Sequence, residues 1–304
     1  MHRCNPAAQL DVLVRKGNEG LLQNFPGLNQ VLIWDKGKSK HKNLVRLLVQ
    51  IRKKKYDIVI NIQRFAATGI LTGLSGAKTR IGFDKNPFSF LFTQKIEHSI
   101  DGSNAIHETQ RNLKLIESFG ANLNAKPVLF PSTDDFEAVK IYKTNSYYCI
   151  APTSVWFTKQ VPAVKWVELI KQIQFIDSNA HIYLLGGPAD KEECFKIEKQ
   201  SNHPKVKTLA GQLSFLQTAA LMKEATRNFV NDSAPMHIAS AMNAPITVYY
   251  CSTIPAFGFG PLSDDRKIIE VQNLYCRPCG LHGHRACPEE HFKCGFELKM
   301  DSIN

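Results

Sequence analysis

The sequence predicts an α/β protein with two domains, each built on a parallel sheet that is covered by helices on both faces. Short apolar and β-branched runs alternate with segments whose apolar residues recur at helical spacing, which is typical of βαβ units. This alternation stops over a polar, proline-containing stretch at residues 126–144 and then begins again. A chain of 304 residues is long enough for two such domains. We therefore expect domains over residues 1–130 and 147–304, joined by a linker over residues 131–146.

In the first half of the chain, strands are predicted from short apolar runs and helices from apolar spacing. Leu44, Leu47, Leu48 and Ile51, for example, share one face of a predicted helix over residues 43–55. The predicted strands cover residues 10–14, 31–34, 56–62 and 80–83. The predicted helices cover residues 19–25, 43–55, 65–74 and 105–119.

The second half repeats the alternation after one further candidate helix at residues 134–142 in the linker. Its apolar runs are bounded by Gly, Pro and Asn residues, which favour turns. The predicted strands cover residues 147–152, 181–187, 206–209, 228–230 and 246–250. The predicted helices cover residues 165–176, 190–200, 215–225 and 238–242.

A polar turn between a predicted strand and a predicted helix is the first candidate site. The segment Asn231–His237 reads Asn-Asp-Ser-Ala-Pro-Met-His. Asp232 and Ser233 suit the position that caps a helix, and Pro235 suits its first turn. The N–H groups and the positive dipole of such a helix end favour an anion such as a phosphate. His237, further along the predicted helix, is a candidate to add a donor or a positive charge at the same spot. The alternative is an ordinary capped helix with a partly buried His237.

Four other polar or glycine-containing turns follow strands of the second predicted domain, and parallel strands bring such turns to one ligand-binding edge. In the first turn, Thr153 and Ser154 offer hydroxyls and Lys159 offers a compact cation, which suit a phosphate. In the second turn, Gly186 and Gly187 allow a ligand to approach the backbone closely. Each turn alone is also typical of a surface loop, but all of them together favour a nucleotide pocket. The remaining turns comprise residues 210–213 and residues 251–255 with 258–261.

These motifs resemble those of glycosyltransferase family 9, the family of the ADP-heptose:lipopolysaccharide heptosyltransferases. The resemblance rests on Thr153 with Lys159 and Pro162, on Leu185-Gly186-Gly187-Pro188, on Asn231-Asp232-Ser233 with Met236, His237 and Ala239, and on Gly260-Pro261. It implies a GT-B fold, in which two Rossmann-like domains face each other across a cleft and the C-terminal domain holds the sugar nucleotide. It also implies an inverting transfer of heptose from ADP-heptose to the inner core of lipopolysaccharide, with no cofactor required for transfer.

The resemblance further implies roles for individual residues. Lys159, Asp232 and His237 would form the catalytic set, and Lys159 would offset the charge that grows on the leaving ADP. Asp190 or Glu193 would correspond to an acidic residue near the adenosine ribose. The implied substrate-binding residues hold the donor through side chains or backbone N–H groups, and they are Thr153, Ser154, Gly186, Gly187, Asp190, Ser233, Ala234, Pro235 and Met236.

Two departures from the family pattern bear on activity. Ala234 stands where the family usually has glycine, which is tolerated unless that residue needs a positive φ. Family members also begin with a strand and a Gly-Asp-Val turn whose aspartate is the proposed general base, whereas the strand over residues 10–14 matches their second strand. We expect a truncated chain whose N-terminal domain lacks its first strand; the alternative is an impaired activity. Asp57 and Asp84 are candidate substitutes for the base, and the sequence favours neither.

The net charge of +11 and the pI near 9.2 predict an acidic partner: nucleic acid, an anionic membrane surface or a phosphorylated substrate. No nucleic-acid-reading motif accompanies the basic clusters at residues 36–42 and 52–55, and ordinary solubilising charge is the alternative for each cluster. No apolar run reaches the ~20 residues of a membrane span, and no signal peptide is evident. We expect a cytoplasmic protein, peripheral on the inner membrane. Its expected partners are ADP-heptose or a similar nucleotide sugar and a lipid-linked anionic saccharide acceptor, without nucleic acid.

Four of the eight cysteines lie near the C-terminus, at Cys276, Cys279, Cys287 and Cys294. A C-x-x-C pair with further cysteines and nearby histidines is typical of a structural zinc or iron–sulfur site. The spacings match no standard zinc finger, so reduced cysteines that only pack are an equal alternative. Disulfides are disfavoured in the cytoplasm.

Two functions of other classes stay open at this point. A non-catalytic nucleotide-sugar-binding or assembly protein would account for the missing general base. A basic nucleic-acid-binding protein that uses the cysteine tail would account for the charge and would bind with a steep salt dependence, but no aromatic–basic surface motif supports it.

Overall fold

The structure is a computed structural model that describes residues 7–37, 39–100, 106–143 and 145–300. The chain divides into two compact units, Met1–Ala125 and Lys126–Asn304. We describe each unit separately. Nowhere in the described part of the chain does a helix combine the length and the apolar character that crossing a bilayer requires.

The first unit contains two parallel sheets within its described residues. One sheet pairs β1 with β2, and the other has the order β3-β4-β5. The strands are β1 (Leu10–Arg15), β2 (Leu28–Trp34), β3 (Ile58–Asn61), β4 (Thr79–Phe83) and β5 (Gln94–Ile96). The helices are α1 (Lys40–Lys54), α2 (Ala66–Gly73) and α3 (Glu108–Lys114).

Two differences from the predicted elements of this unit have local causes. The strand β5 was not predicted, because its three residues, Gln-Lys-Ile, form no apolar run. The helix predicted over residues 105–119 is shorter: α3 ends at Lys114, and a 3-10 turn over Glu117–Phe119 follows it. Gly120 ends that turn with a φ of +79°, a conformation that glycine adopts at little cost.

The second unit is built on one sheet of six parallel strands in the order β11-β10-β9-β6-β7-β8. The strands are β6 (Tyr147–Ala151), β7 (His181–Leu184), β8 (Val206–Thr208), β9 (Arg227–Asn231), β10 (Ile246–Tyr250) and β11 (Arg266–Glu270). The helices are α4 (Thr133–Val139), α5 (Ala163–Ile176), α6 (Lys191–Ser201), α7 (Phe215–Lys223), α8 (Ala234–Ala241) and α9 (Lys293–Phe296). The predicted α/β class with parallel sheets is therefore confirmed.

The residues predicted as a linker contain α4, which belongs to the second unit. Ser132 caps this helix: its hydroxyl accepts the Asp135 N–H, and the Asp135 carboxylate accepts the Ser132 N–H at 2.8 Å. The Phe136 side chain packs against the core of the second unit. A strong local cap and an apolar face together explain why this polar stretch is ordered.

Both faces of the six-stranded sheet carry an apolar core, as a parallel sheet requires. Successive side chains of a strand point to opposite faces, and in β6 Tyr148 and Ile150 enter one core while Tyr147 and Cys149 enter the other. Among the described residues, Trp166 of α5 is the largest fully buried side chain, and its ring meets Tyr249 edge-on at 5.3 Å.

The register of the three central strands determines which turns become neighbours. Ala151 is paired with Val230, and Tyr249 is paired with Asn231. Because these strands are parallel, the segments that follow β6, β9 and β10 leave the sheet side by side at its carboxyl edge. The candidate site is built from these three segments.

Candidate functional site

A lysine, an aspartate and a threonine from three different turns meet at this edge. The Lys159 Nζ lies 2.6 Å from the Asp232 Oδ2, and the Thr253 hydroxyl donates to the same oxygen at 2.7 Å. Asp232 is 6% exposed and Thr253 is 2% exposed, so the carboxylate depends on these partners for its solvation. The structure thus brings Lys159 and Asp232 together, as the family motif implies. Thr253 lies in the predicted ligand-binding turn over residues 251–255, but nothing in its sequence context singles it out within that turn.

Asn231 fastens the lysine turn to the end of β9. Its side-chain oxygen accepts the Val161 N–H at 3.0 Å, and its side-chain amide donates to the Pro152 carbonyl at 2.7 Å. Asn231 is fully buried, where an unmatched amide would cost about 1–3 kcal/mol. The loop between Pro152 and Val161 is therefore held at both ends. A polar residue that ends a buried strand was the only sequence signal for this role.

Thr158, the residue before the lysine, is the centre of a second buried network. Its hydroxyl accepts the His284 N–H at 2.8 Å and the Ser252 hydroxyl at 3.0 Å. Its N–H donates to the His284 carbonyl at 3.1 Å, and its carbonyl accepts the Ser252 N–H at 3.2 Å. Residues near the C-terminus and after β10 thereby fix the backbone that carries Lys159.

The cysteine-rich segment at residues 276–287 packs directly on the lysine turn. A Cβ added at Gly283 would lie 2.5 Å from the Trp156 Cβ and 2.8 Å from the Lys159 Cγ, closer than real Cβ atoms approach a neighbour. The Arg277 guanidinium donates to the Thr253 carbonyl at 2.8 Å and to Glu270 at 2.7 Å. The segment therefore forms one wall of the candidate site.

The beginning of α8 uses two of its predicted donor-binding residues internally. Pro235 has no N–H to offer a phosphate, and the Met236 N–H donates to the Ser233 carbonyl at 3.0 Å. The Met236 side chain is buried in the core, where its sulfur accepts the Tyr250 hydroxyl at 3.4 Å. A backbone N–H contribution to the diphosphate is therefore excluded for Pro235, which has no N–H, and the Met236 N–H is already used within the helix turn.

The other residues of this turn stand at the surface of the helix end. Ser233 is half-buried and occupies the cap position, without a side-chain capping bond. Ala234 lies in the first turn of α8 with a helical backbone, so the methyl group that replaces the family's glycine meets no conformational conflict. His237 is exposed, and not partly buried as in the alternative of an ordinary capped helix.

The glycine turn after β7 is held by Asp190. The Asp190 carboxylate accepts the Gly187 N–H at 2.7 Å, and a Cβ at Gly186 would lie 2.7 Å from the Asp190 Cβ. Asp190 therefore closes the 3-10 turn over Pro188–Asp190 that precedes α6. Gly211, with a φ of +67°, packs its backbone against Pro188, so that the turns after β7 and β8 lie together. The hydroxyl-bearing Thr153 and Ser154 are half-buried in the turn after β6.

The predicted metal site in the tail is not supported. In residues 7–300, apart from the few positions left undescribed, no three His, Cys, Asp or Glu side chains are arranged to hold a metal ion. Cys276, Cys279, Cys287 and Cys294 lie near one another but occupy different environments. The Cys279 thiol donates to the Cys276 carbonyl at 3.2 Å, and Cys294 is buried in the apolar core. Burial raises the pKa of Cys279, and it raises the pKa of Cys294 to about 12.

Comparison with known proteins identifies similar chains over most of this sequence. The model of glycosyltransferase family 9 (heptosyltransferase) matches residues 44–292. Lipopolysaccharide heptosyltransferase 3 of Escherichia coli is 26% identical over 82% of this chain and 76% of its own length. Lipopolysaccharide heptosyltransferase 2 of Escherichia coli K12 is 23% identical over 89% of this chain and 81% of its own length.

Solved structures show the same fold. A family 9 glycosyltransferase of Veillonella parvula superposes with a TM-score of 0.78 at 18% identity, covering 90% of this chain and 80% of that one. The ADP-heptose lipopolysaccharide heptosyltransferase II of Escherichia coli superposes with a TM-score of 0.73 at 21% identity, covering 96% and 89%. The Escherichia coli heptosyltransferase WaaC, solved with ADP, has a TM-score of 0.69 at 19% identity, covering 88% and 85%.

Proposed function

This chain belongs to glycosyltransferase family 9, and we propose that it transfers heptose from ADP-heptose to the inner core of lipopolysaccharide with inversion at the anomeric carbon. The observation that carries the proposal is the convergence of Lys159, Asp232 and Thr253 at the carboxyl edge of the six-stranded sheet. In open α/β sheets this edge is where ligands bind. The ADP bound to the related WaaC structure supports a nucleotide-linked donor.

On this proposal, Lys159 binds the diphosphate of the donor. Its ammonium group pairs with Asp232, and the Lys159 side chain as a whole is 17% exposed, which leaves a solvent side from which a phosphate can approach. Asp232 and Thr253 keep the ammonium in place before the donor arrives. A fixed cation at a developing negative charge stabilises the transition state without reorganisation, which is the largest catalytic contribution in many transfer reactions.

The chemical step we propose is a single displacement. The oxygen of an acceptor hydroxyl attacks the anomeric carbon of the heptose as the bond from that carbon to the diphosphate oxygen breaks. The electron pair of that bond leaves with ADP, beside Lys159. The hydroxyl proton passes to a general base, so that atoms and charge balance without a metal or a redox partner.

Of the two aspartates considered for the base, Asp84 has the better position. Asp84 directly follows β4 at the carboxyl edge of its parallel sheet, whereas Asp57 precedes β3 at the opposite edge. The Asp84 carboxylate accepts the His98 N–H at 3.0 Å. Burial raises the pKa of Asp84, but this N–H and the nearby Lys85 outweigh that effect, and its pKa lies below the usual value. Asp84 is thus ionised at neutral pH, as a base must be.

The test is transfer of heptose from ADP-heptose to a core acceptor that lacks this sugar. We expect Lys159→Ala to lower kcat by about 10²–10³-fold, the usual loss for one transition-state stabiliser, and to weaken ADP binding. Lys171→Ala, at an exposed lysine of α5, is the matched control and leaves both unchanged. Binding of ADP that neither Lys159→Ala nor Asp232→Ala weakens would refute the assigned site. Tight ADP binding by the unaltered chain without any transfer would instead favour the non-catalytic binding protein.

A further inference from the structure

The exposed side of α1 carries apolar and cationic groups and no carboxylate. The helix reads Lys-His-Lys-Asn-Leu-Val-Arg-Leu-Leu-Val-Gln-Ile-Arg-Lys-Lys and contains no acidic residue. Leu47 and Ile51 are buried, and they pack in the same core as Leu32 and Trp34 of β2. This inner side anchors the helix to the first unit and determines which side chains face solvent.

Two valines and three cations share the opposite side of the helix. Val45 is 61% exposed and Val49 is 47% exposed, and they are neighbours because they stand four residues apart. At 100° per residue, the exposed Lys42, Arg46 and Lys53 fall beside these valines. We call these five residues the α1 face.

The cations of the α1 face have no carboxylate within ion-pair distance among the residues that the structure describes. By contrast, Lys54 turns toward the sheet and pairs with Asp11 at 2.9 Å. His41, Lys42, Val45 and Arg46 lie together on one open patch of the surface. The unpaired cations concentrate positive charge around an apolar strip, where a large anionic surface would neutralise it.

We propose that the α1 face docks on the anionic phospholipid surface of a membrane. This inference rests on the proposed function, because a lipid-linked acceptor would be presented at such a surface. Exposed valines flanked by Lys and Arg, on a helix that lies flat, suit the boundary between headgroups and acyl chains. Nucleic acid fits less well, because the face has no aromatic side chain on which a base would stack and its valines would gain nothing from phosphates.

Binding to vesicles tests the surface independently of transfer. The full chain is sedimented with phosphatidylcholine vesicles that contain or lack phosphatidylglycerol. We expect binding only to the anionic vesicles, weakened by salt. The variant Lys42→Gln/Arg46→Gln/Lys53→Gln should bind roughly tenfold or more weakly, because each cation near such a surface contributes to binding. Val45→Ser/Val49→Ser keeps the charge and should also bind several-fold more weakly.

The charge-matched control is Lys171→Gln/Lys199→Gln/Lys299→Gln, which removes three exposed lysines of the second unit. It should bind anionic vesicles like the unaltered chain; equal losses for both triple variants would overturn the proposal, since net charge alone would then explain binding. So would valine variants that bind normally, or a duplex DNA that binds the α1 face while anionic vesicles do not. Failure of transfer with intact vesicle binding would count against the proposed function and not against this surface.

Discussion

At the scale of single residues, the candidate site depends on how one buried carboxylate is satisfied. Asp232 receives a cation from Lys159 and a hydroxyl from Thr253 on the same oxygen. Removing one partner of such a buried pair costs much more than the pair contributes net, because the remaining charge is left without solvation. Thr253 is therefore part of the site, although a threonine after a strand carries no distinctive sequence signal.

The two candidate bases, Asp84 and Asp57, are distinguished by single substitutions. Asp84→Asn should lower kcat by about 10²–10⁴-fold, the usual contribution of a general base, and should leave ADP affinity unchanged. Asp57→Asn is the matched control and should keep kcat, because Asp57 lies at the other edge of its sheet. Steady-state kinetics and ADP titration of both variants measure this. Equal losses in both variants would contradict the assignment.

The pH dependence of transfer follows from the environment of Asp84. The folded-state pKa of this carboxyl is lowered below 3.8, since the His98 N–H and Lys85 outweigh the effect of burial. The ionised form of Asp84 is the base, so transfer is lost as the pH falls through the lowered pKa. The stability that the ionised carboxylate contributes to the fold is likewise present at neutral pH and lost over the same acidic range. The acidic limb of the rate profile that belongs to Asp84 should therefore lie below pH 4. An acidic limb near pH 6 that Asp84→Asn removes would be inconsistent with this.

At the scale of elements, the cysteine-rich segment has a role other than the predicted metal site. It packs Gly283 against the side chains of Trp156 and Lys159 and donates the His284 N–H to the Thr158 hydroxyl. Its Arg277 donates to the Thr253 carbonyl, in the segment after β10. These contacts explain why a segment with little regular structure is well packed. The cysteine pattern singled out this segment, but the described residues give no support to the metal site that the pattern suggested.

Gly283→Ala tests whether this segment positions the lysine. The added methyl group would overlap Trp156 and Lys159, so the turn must shift. We expect kcat/KM for the donor to fall about tenfold or more, since a displacement near 1 Å at a catalytic group is costly. Hydrogen exchange at the Thr158 N–H, which donates to the His284 carbonyl, should accelerate. Kinetics and exchange mass spectrometry of the variant measure the two effects.

Gly20→Ala is the control for that substitution, because a Cβ at Gly20 meets no atom within 4 Å.

Thr158→Ser should retain donor affinity, and Thr158→Val, which lacks the hydroxyl, should lose it. Normal exchange at Thr158 together with a normal KM in Gly283→Ala would show that the tail does not position Lys159.

At the scale of the whole molecule, the two units have separate cores and different sheets. The sheet edge with Lys159 belongs entirely to the unit Lys126–Asn304. A ligand stabilises the unit that binds it by RT ln(1 + [L]/Kd), which is about 2.7 kcal/mol at a hundred times Kd. If the donor site lies within one unit, the ligand should therefore stabilise that unit more than the other, and unfolding measurements with and without the ligand can show this.

We expect ADP to slow hydrogen exchange in the turns after β6, β9 and β10 and to raise the thermal transition of the second unit by several degrees. Lys159→Ala should reduce both effects at the same ADP concentration. Calorimetry with exchange mass spectrometry provides the measurement. Protection by ADP that is restricted to residues of the first unit would place the nucleotide elsewhere.

Sequence pattern alone was sufficient for the α/β class, for most strands and helices, and for the membership of the family. These features depend on local periodicity and on short motifs such as Asn231-Asp232-Ser233 and Gly186-Gly187, which act through neighbouring residues. The strands that were missed, β5 and β11, are polar or lie at a sheet edge, where an apolar run is not required.

Only the tertiary structure decided which distant residues meet. The pairing of Asn231 with Tyr249 brings Thr253 to Asp232, and the return of the chain brings Gly283 and His284 to the lysine turn. It also separated the environments of the four tail cysteines, because Cys294 enters the apolar core and the Cys279 thiol donates to the Cys276 carbonyl. Such contacts follow from strand register and core packing. Both depend on interactions between residues far apart in the chain, so no single stretch of the sequence reveals them.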